Sequence, residues 1–349
     1  MTQATLLNHS NLNTFVEQRT KETFYFNQAW LDLISRLFGY EVIPLTTTNG
    51  AGEITGFLPL CYLQSPITGR RLVSLPFSDY CPLLATDEAS ANDLVDQAIA
   101  LAQAKRVKYL ELRTGSNEVL AQRSDLMGGD LYVRWLKPLN PDTEAMWSSL
   151  AKSARKMIKK AQKLGVQARL AQQREDIEEY YRLHLLTRSK KHGMPSQSRR
   201  YFYELWDTFA PSGTMQLWLA EYQGQIISSS ISFASGTTIR FAYRSSDERY
   251  LHLVPNHLLI WTAISWACAK GYQMLDIGRT ASDNTGLMDF KRQWGTFQEP
   301  LPYYYYPHMA GLASTAESSW KYRLLTSCWK RLPLQVTGPL GGYLYKHMG

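Results

Sequence analysis

No stretch of about 18 apolar residues occurs in the sequence, so no membrane-spanning helix is expected. The opening residues, Met1–Asn13, carry neither the basic nor the apolar region of a secretory leader. Cysteine is scarce. Cys61, Cys81, Cys268 and Cys328 are widely spaced and form no CxxC pair, which argues against a disulfide framework and fits incidental or buried thiols in a reducing compartment. His184 and His192 stand eight residues apart without a cysteine or acid at ligand spacing, so no metal is expected. Walker loops, GxGxxG and GxSxG are all missing. These absences predict a cytoplasmic protein with no metal and no tightly bound cofactor.

Aromatics, by contrast, are plentiful: 21 Tyr, 12 Phe and 10 Trp. Hydrophobic residues make up 44% of the chain and charged ones 19%, the balance of a soluble globular protein. A length of 349 residues exceeds what one core usually holds, so two domains are expected. The net charge of +8 is local in origin. Residues 151–200 hold 14 Lys+Arg against 4 Asp+Glu, a net +10, and the rest of the chain carries the difference, −2. One basic segment implies one place where an anionic partner is met.

An opening helix is predicted over about Thr23–Phe38, with Phe26, Trp30, Ile34, Leu37 and Phe38 at helical spacing and Gly39 as its stop. Strands follow at Glu41–Leu45, Ile54–Leu63 and Arg71–Leu75, then a helix over about Ala89–Lys105 and a strand Val107–Arg113. The second half repeats this grammar. Strands are predicted at Met215–Tyr222, Gln225–Phe233 and Thr237–Arg244, then a helix to about Lys270 with Asn256 as its N-cap, then the strand Tyr272–Ile277. A short helix near Gly286–Trp294 and a last strand Tyr303–Tyr306 complete that unit. Leu110-Glu111 and Leu275-Asp276 lie 165 residues apart, and each strand ends in acid, spacer, Arg-Thr, with Gly278 one residue extra. Two copies of one α/β unit are the economical reading. Between them a basic helix is predicted over about Thr143–Leu164. Trp147, Leu150, Ala154, Met157 or Ile158, and Ala161 form its apolar stripe, and Lys152, Arg155, Lys156, Lys159, Lys160 and Lys163 populate the rest.

Several phrases resemble FemAB-related N-acyltransferases, which share a GNAT-like (BioF2-like) acetyltransferase domain. The most specific is Leu275-Asp276-Ile277-Gly278-Arg279 followed by Asp289-Phe290-Lys291-Arg292-Gln293-Trp294-Gly295. The basic run from Lys152 to Ala161, His192-Gly193-Met194-Pro195, the phrase from Leu72 to Phe77 and Trp329-Lys330-Arg331-Leu332-Pro333-Leu334 fit the same family. They are similar above all to the branch associated with exosortase and exopolysaccharide systems. The resemblance covers nearly the whole chain. It implies an α/β fold of two tandem GNAT-like domains, each a mixed twisted sheet flanked by helices. Residues 1–142 would form the first, 143–310 the second, and 311–349 an amphipathic tail. It also implies direct transfer of an acyl or aminoacyl group to an amine, from acyl-CoA or aminoacyl-tRNA, without a covalent enzyme intermediate.

Two departures bear on the donor. The long helical arm that many tRNA-dependent relatives carry is not present. The loop that cradles coenzyme A pyrophosphate in ordinary GNAT enzymes reads here Leu253-Val254-Pro255-Asn256-His257-Leu258, without the glycines that let backbone N–H groups close on phosphate. The donor therefore stays open between the two.

Acyl transfer to an amine needs a neutral amine, a polarised carbonyl and a proton or positive charge for the leaving group. The family motif places Lys291 in the cationic role; an isolated lysine would otherwise be a solvated one. Arg279, past the end of a strand, either forks onto a phosphate or carboxylate or pairs with Asp276. Asp283 is a candidate acid/base. Tyr243 and Arg244 end the third strand and face either the donor cleft or, for Tyr243, the core. Asn256 stands at the donor side. Arg155, Lys156 and Lys159 offer a phosphate-contacting face, extended by Arg182, Arg188, Lys190, Lys191 and His192, unless the helix is merely solvated.

The expected function is N-acyl transfer (an EC 2.3 activity) to an amine of an anionic sugar- or lipid-linked cell-envelope or exopolysaccharide precursor. An acyl-CoA-dependent acetyltransferase with an atypical loop, and a non-catalytic scaffold or RNA-binding module, are the alternatives. The tail from Trp320 to Tyr345 either packs back onto the domains or touches a membrane surface as a peripheral contact.

Overall fold

The apolar runs that alternate with glycine turns fold as strands. In the computed structural model, which describes residues 9–20, 24–307 and 320–348, these are β1 (Glu41–Thr48), β2 (Ile54–Ser65), β3 (Gly69–Val73), β4 (Leu84–Ala85), β5 (Tyr109–Leu112), β6 (Met127–Gly129) and β7 (Tyr132–Pro138) in the first part of the chain. Then come β8 (Gln167–Leu170), β9 (Met215–Tyr222), β10 (Gln225–Ser235), β11 (Thr238–Ser246), β12 (Met274–Ala281), β13 (Phe297–Pro300) and β14 (Tyr303–Tyr306). They form two mixed sheets flanked by helices. The first runs β1-β2-β3-β5-β14-β6, with β4 on β2; the second runs β13-β7-β12-β11-β10-β9-β8.

Each sheet contains the same motif. In the first, β2 and β3 are antiparallel and β3 and β5 parallel, joined through the helix Glu88–Ala104. In the second, β10 and β11 are antiparallel and β11 and β12 parallel, joined through Pro255–Ala269. A parallel pair needs such a crossover, because a tight turn cannot reverse the chain twice. The acid singled out by the repeat is the last paired residue in both copies: Val73 faces Glu111, and Arg240 faces Asp276.

The described residues divide into two compact units, 9–132 with 300–307 and 133–299 with 320–348. This differs in three ways from the division read from sequence. β7 lies in the second sheet although it precedes residue 143. β14, expected to finish the second unit, pairs antiparallel with β5 and β6 in the first. The C-terminal helices Trp320–Arg331 and Leu334–Tyr345 belong to the second unit rather than forming a separate tail; residues 311–319 lie outside the described residues.

Local corrections follow from caps and packing. The first predicted helix starts at Gln28, where Asn27 accepts the Ala29 amide, and Thr23 lies outside the described residues. Gly39 ends it at φ 71°, with its N–H on Ser35 O. The basic helix is two helices, Thr143–Ser148 and Lys152–Lys163. They break at Ala151, which is extended and donates its N–H to Gln293 O at 3.0 Å. Asn256 is not an N-cap: Val254 holds that place in the left-handed region (φ 52°), with Pro255 following.

One charged group is central to the second core. Asp276 on β12 is fully buried and accepts hydrogen bonds from Arg240 on β11 at 2.5 Å and Arg134 on β7 at 3.1 Å. Both guanidinium groups are themselves buried. Asp276→Ala leaves two buried cations without their carboxylate, so it should lose about 3–5 kcal/mol of stability in urea denaturation. A loss below about 1 kcal/mol would mean that the triad does not hold these strands.

His184, on the helix Asp176–Leu185, supplies a second test. Its ring is buried between Tyr180 and Phe202, with Nε2 2.8 Å from Gln197 Oε1. Burial lowers its pKa from 6.5 to about 3. The unfolded chain therefore takes up a proton that the folded chain refuses, and stability falls as pH drops from about 6.5 towards 3. In His184→Gln the loss between neutral pH and the carboxylate range should be shallower than in the parent. An unchanged slope contradicts the assignment.

Candidate functional site

The site begins where β11 and β12 part. Their pairing ends at Arg240 and Asp276, yet β11 continues six residues to Ser246 on the β10 side and β12 five residues to Ala281. Asp276 itself turns β12 away: its Oδ1 accepts the Gly278 amide at 2.7 Å, and Gly278 takes φ 78°. Only glycine enters that region without steric cost, which explains the extra glycine in the second copy of the repeat.

On the other strand a bulge changes which side chains face this opening. The β10–β11 register shifts between Ile231 and Ser232, so Ser232 pairs with Phe241 and Ile231 with Tyr243, leaving Ala242 unpaired. An extra residue in a strand moves everything beyond it to the opposite face. Arg244 and Ser246 thereby join the face covered by the helix Pro255–Ala269. Ser246 and Ser228 both donate to Asn256 Oδ1, at 3.0 and 2.9 Å.

Arg244 is the notable group here. Its guanidinium lies 5.3 Å from the centre of the Phe290 ring and makes no hydrogen bond or ion pair with the described residues. Burial alone pushes its pKa down to about 10. Phe290 also meets His257 at 5.4 Å, and His257 meets Trp294 at 5.8 Å. His257 is held neutral by burial, against the opposing effect of a Gln293 hydrogen bond. Trp294 Nε1 and Thr280 Oγ1 are buried without a partner among the described residues. A half-buried cation, a neutral imidazole and the orphaned Trp294 donor gather around the Phe290 ring, a set of groups suited to an anion or a polarised carbonyl.

Lys291 adjoins Phe290 but points elsewhere. It is 2% exposed, and its Nζ donates to Gly278 O at 2.8 Å and Arg279 O at 2.9 Å. It clamps the end of β12 in its diverted path. Arg279 is half-buried beside that clamp, and the carboxylate expected as its alternative partner is bound to Arg134 and Arg240.

The other expected site residues are elsewhere. Tyr243 faces the opposite side of the sheet, its hydroxyl 2.7 Å from that of Tyr201 and its ring edge-on to Phe202. The bulge at Ala242, invisible in the pattern of alternation, put it there. Asp283 lies exposed in the turn before the helix Thr285–Arg292. Arg155, Lys156 and Lys159 stand on the basic helix, whose Ala154, Ile158 and Ala161 are buried. With Lys152, Lys160 and Lys163 they make six cations that form no ion pair among the described residues. His257 was not picked out from the sequence; its place three residues beyond the strained Val254 is the signal that was available.

The first unit parts its strands in the same place but fills the gap. Past Val73 and Glu111, the Cys81 amide donates to Arg113 O and the Arg113 side chain to Ser78 O, both at 2.8 Å. Leu75 and Cys81 are fully buried in this plug, and Leu75 and Phe77 take φ of 56° and 64°.

Lys291→Ala would orphan two carbonyls, so the substitution should not leave the fold intact. A loss of about 2 kcal/mol or more is expected in thermal or urea unfolding. An unchanged melting temperature with abolished activity would instead assign Lys291 to the chemistry alone.

Residues 148–292 match the family model described as an acetyltransferase (GNAT) domain. A UDP-N-acetylmuramoylpentapeptide-lysine N(6)-alanyltransferase of Weissella viridescens is 22% identical over 145 residues. The chain spans 42% of the length of that relative, and the match is 42% of this chain. In fold, FemX superposes with a TM-score of 0.65 at 15% identity, over 85% of this chain and 96% of that one. A tandem GNAT protein from the clavulanic acid biosynthesis pathway reaches 0.53 at 13% identity, over 85% and 93%. The chain carries a GNAT acetyltransferase domain with homology to the FemX family.

Proposed function

We propose that this protein is an N-acyltransferase that moves an acyl or aminoacyl group onto an amine of a cell-envelope precursor, with the reacting carbonyl lodged where β11 and β12 part. The observation that carries this reading is Arg244. A half-buried guanidinium given no carboxylate is only partly compensated and has no packing need for its charge. It is kept for a ligand, and a developing oxyanion or the phosphate next to it supplies the missing partner. Lys291 and Asp276 act by holding β12 open, Asn256 and Arg279 by bounding the ligand, and His257, neutral at physiological pH, by accepting the proton that the amine gives up.

The basic helix and the Val254–Pro255 turn together favour a polyanionic donor such as an aminoacyl-tRNA. Six unpaired cations on one helix repel one another and gain from a phosphate backbone. Pro255 removes an amide where a pyrophosphate cradle needs one, and Val254 occupies φ 52° without the freedom of glycine. Acyl-CoA is the second reading. The Weissella relative acts on the lysine of a UDP-linked muramoyl pentapeptide, and an acceptor of that kind, a sugar-linked anion bearing an amine, fits here; an exopolysaccharide precursor is of the same chemical class.

The test pairs each donor, alanyl-tRNA and acetyl-CoA, with a lysine-containing muramoyl pentapeptide and reads the product mass. Arg244→Met should lower kcat/KM about a hundredfold, as loss of one preorganised donor does. It should leave the melting temperature within about a degree of the parent or above it, because a half-buried charge without an acid partner has gone. Full activity in Arg244→Met, or no mass gain with either donor, would sink the proposal.

A further inference from the structure

We propose that the outward face of the two C-terminal helices is a docking surface for an anionic lipid bilayer. These helices do not hang free. Thr337, Gly338 and Gly341 bury one side of Leu334–Tyr345. A Cβ on Gly341 would fall 2.8 Å from the Ser196 amide, and one on Gly342 2.8 Å from Ser198 Cβ, so the helix lies directly on that loop. Gln197 Nε2 donates to Tyr345 Oη at 2.9 Å, and Lys190 Nζ ties the turn between the helices through Lys330 O and Leu332 O at 3.1 and 2.7 Å. A fixed helix has no need for apolar residues on its far side.

They are nonetheless there. Val336, Leu340 and Tyr343 follow one another at i, i+4 and i+7, one stripe of a helix, and are 45%, 39% and 56% exposed. Leu324 and Leu325 on the preceding helix are 56% and 70% exposed. Of nine large hydrophobics exposed among the described residues, six fall between 324 and 348. Residues 320–349 also contain five Lys or Arg and no Asp or Glu. Lys346 sits 4.6 Å from the centre of the Tyr343 ring, a cation beside an aromatic at the edge of the stripe.

Charge decides the occupant. A second copy of the chain would set cation against cation, with no acid in this segment to answer them. A nucleic acid would answer the cations and leave the leucines in water. A bilayer with acidic headgroups takes both, the apolar side chains at the acyl boundary and the cations among the phosphates. No helix of the described residues is long and apolar enough to cross a membrane, so the contact is peripheral. The surface is independent of the acyl-transfer reading.

The test is co-sedimentation of the full-length protein with vesicles of phosphatidylcholine alone or mixed with phosphatidylglycerol. Binding should be about tenfold or more tighter on the acidic vesicles at low salt and weaken as salt is added. Leu324→Ser with Leu325→Ser, a neutral change at exposed positions, should lose about tenfold without moving the melting temperature. Absence of binding to acidic vesicles overturns the proposal. So does binding that survives Leu324→Ser/Leu325→Ser but is lost in Lys156→Gln/Lys159→Gln, which places the lipid on the basic helix. Self-association abolished by the leucine pair, without vesicle binding, assigns the face to a second copy instead.

Discussion

Asp276 is the point on which the second unit turns. Its carboxylate joins β7, β11 and β12 through Arg134 and Arg240, and the same group captures the Gly278 amide and bends β12 outward. One buried charge thus both closes the sheet and opens it. The Lys291 clamp on Gly278 and Arg279 then keeps the diverted strand in place, with the aromatic cluster of Phe290, His257 and Trp294 packed beside it. Low-dielectric surroundings make these charge-assisted bonds strong and their loss costly. The first unit has the parallel pair and the acid but spends its gap on the Leu75–Cys81 plug.

Electrostatics divides the second unit into groups that are paired and groups that are not. Asp276, Arg134 and Arg240 satisfy one another; Arg174 pairs with Asp207 at the surface, and the exposed Arg249 with the buried Asp247. Arg244 and the six cations of the basic helix have no acid partner among the described residues. Paired charges organise the fold, and the unpaired ones carry the proposal that an outside anion binds here.

Much of this was legible in the sequence, for identifiable reasons. The strands from Met215 to Ser246 are apolar and β-prone runs and turn at Gln223-Gly224, where both residues take positive φ. The Asp-Ile-Gly-Arg phrase pointed to the diverted strand because its glycine is required there. β7 was not legible: Arg134 and Lys137 are buried within it, and a strand with charges inside reads as a loop until Asp276, 142 residues away, is seen opposite. The four tyrosines of β14 carry no mark of the sheet they join. Tyr243 and Arg244, neighbours in a strand, face opposite sides of the sheet, and the bulge at Ala242 decided which of them took the side of the helix Pro255–Ala269. The lysine that the motif flagged proved to hold backbone carbonyls, and the arginine beside Tyr243 proved to be the unpaired cation.

The central claim is that the opening between β11 and β12, edged by Arg244, receives the reacting group. The most direct measurement is a crystal structure with the donor that supports transfer, or its non-transferable amide analogue. The account predicts the acyl carbonyl between Arg244 and the turn at Gly278–Arg279, with the guanidinium on the carbonyl or the adjacent phosphate. A donor bound elsewhere, with Arg244 still unpaired, would contradict it.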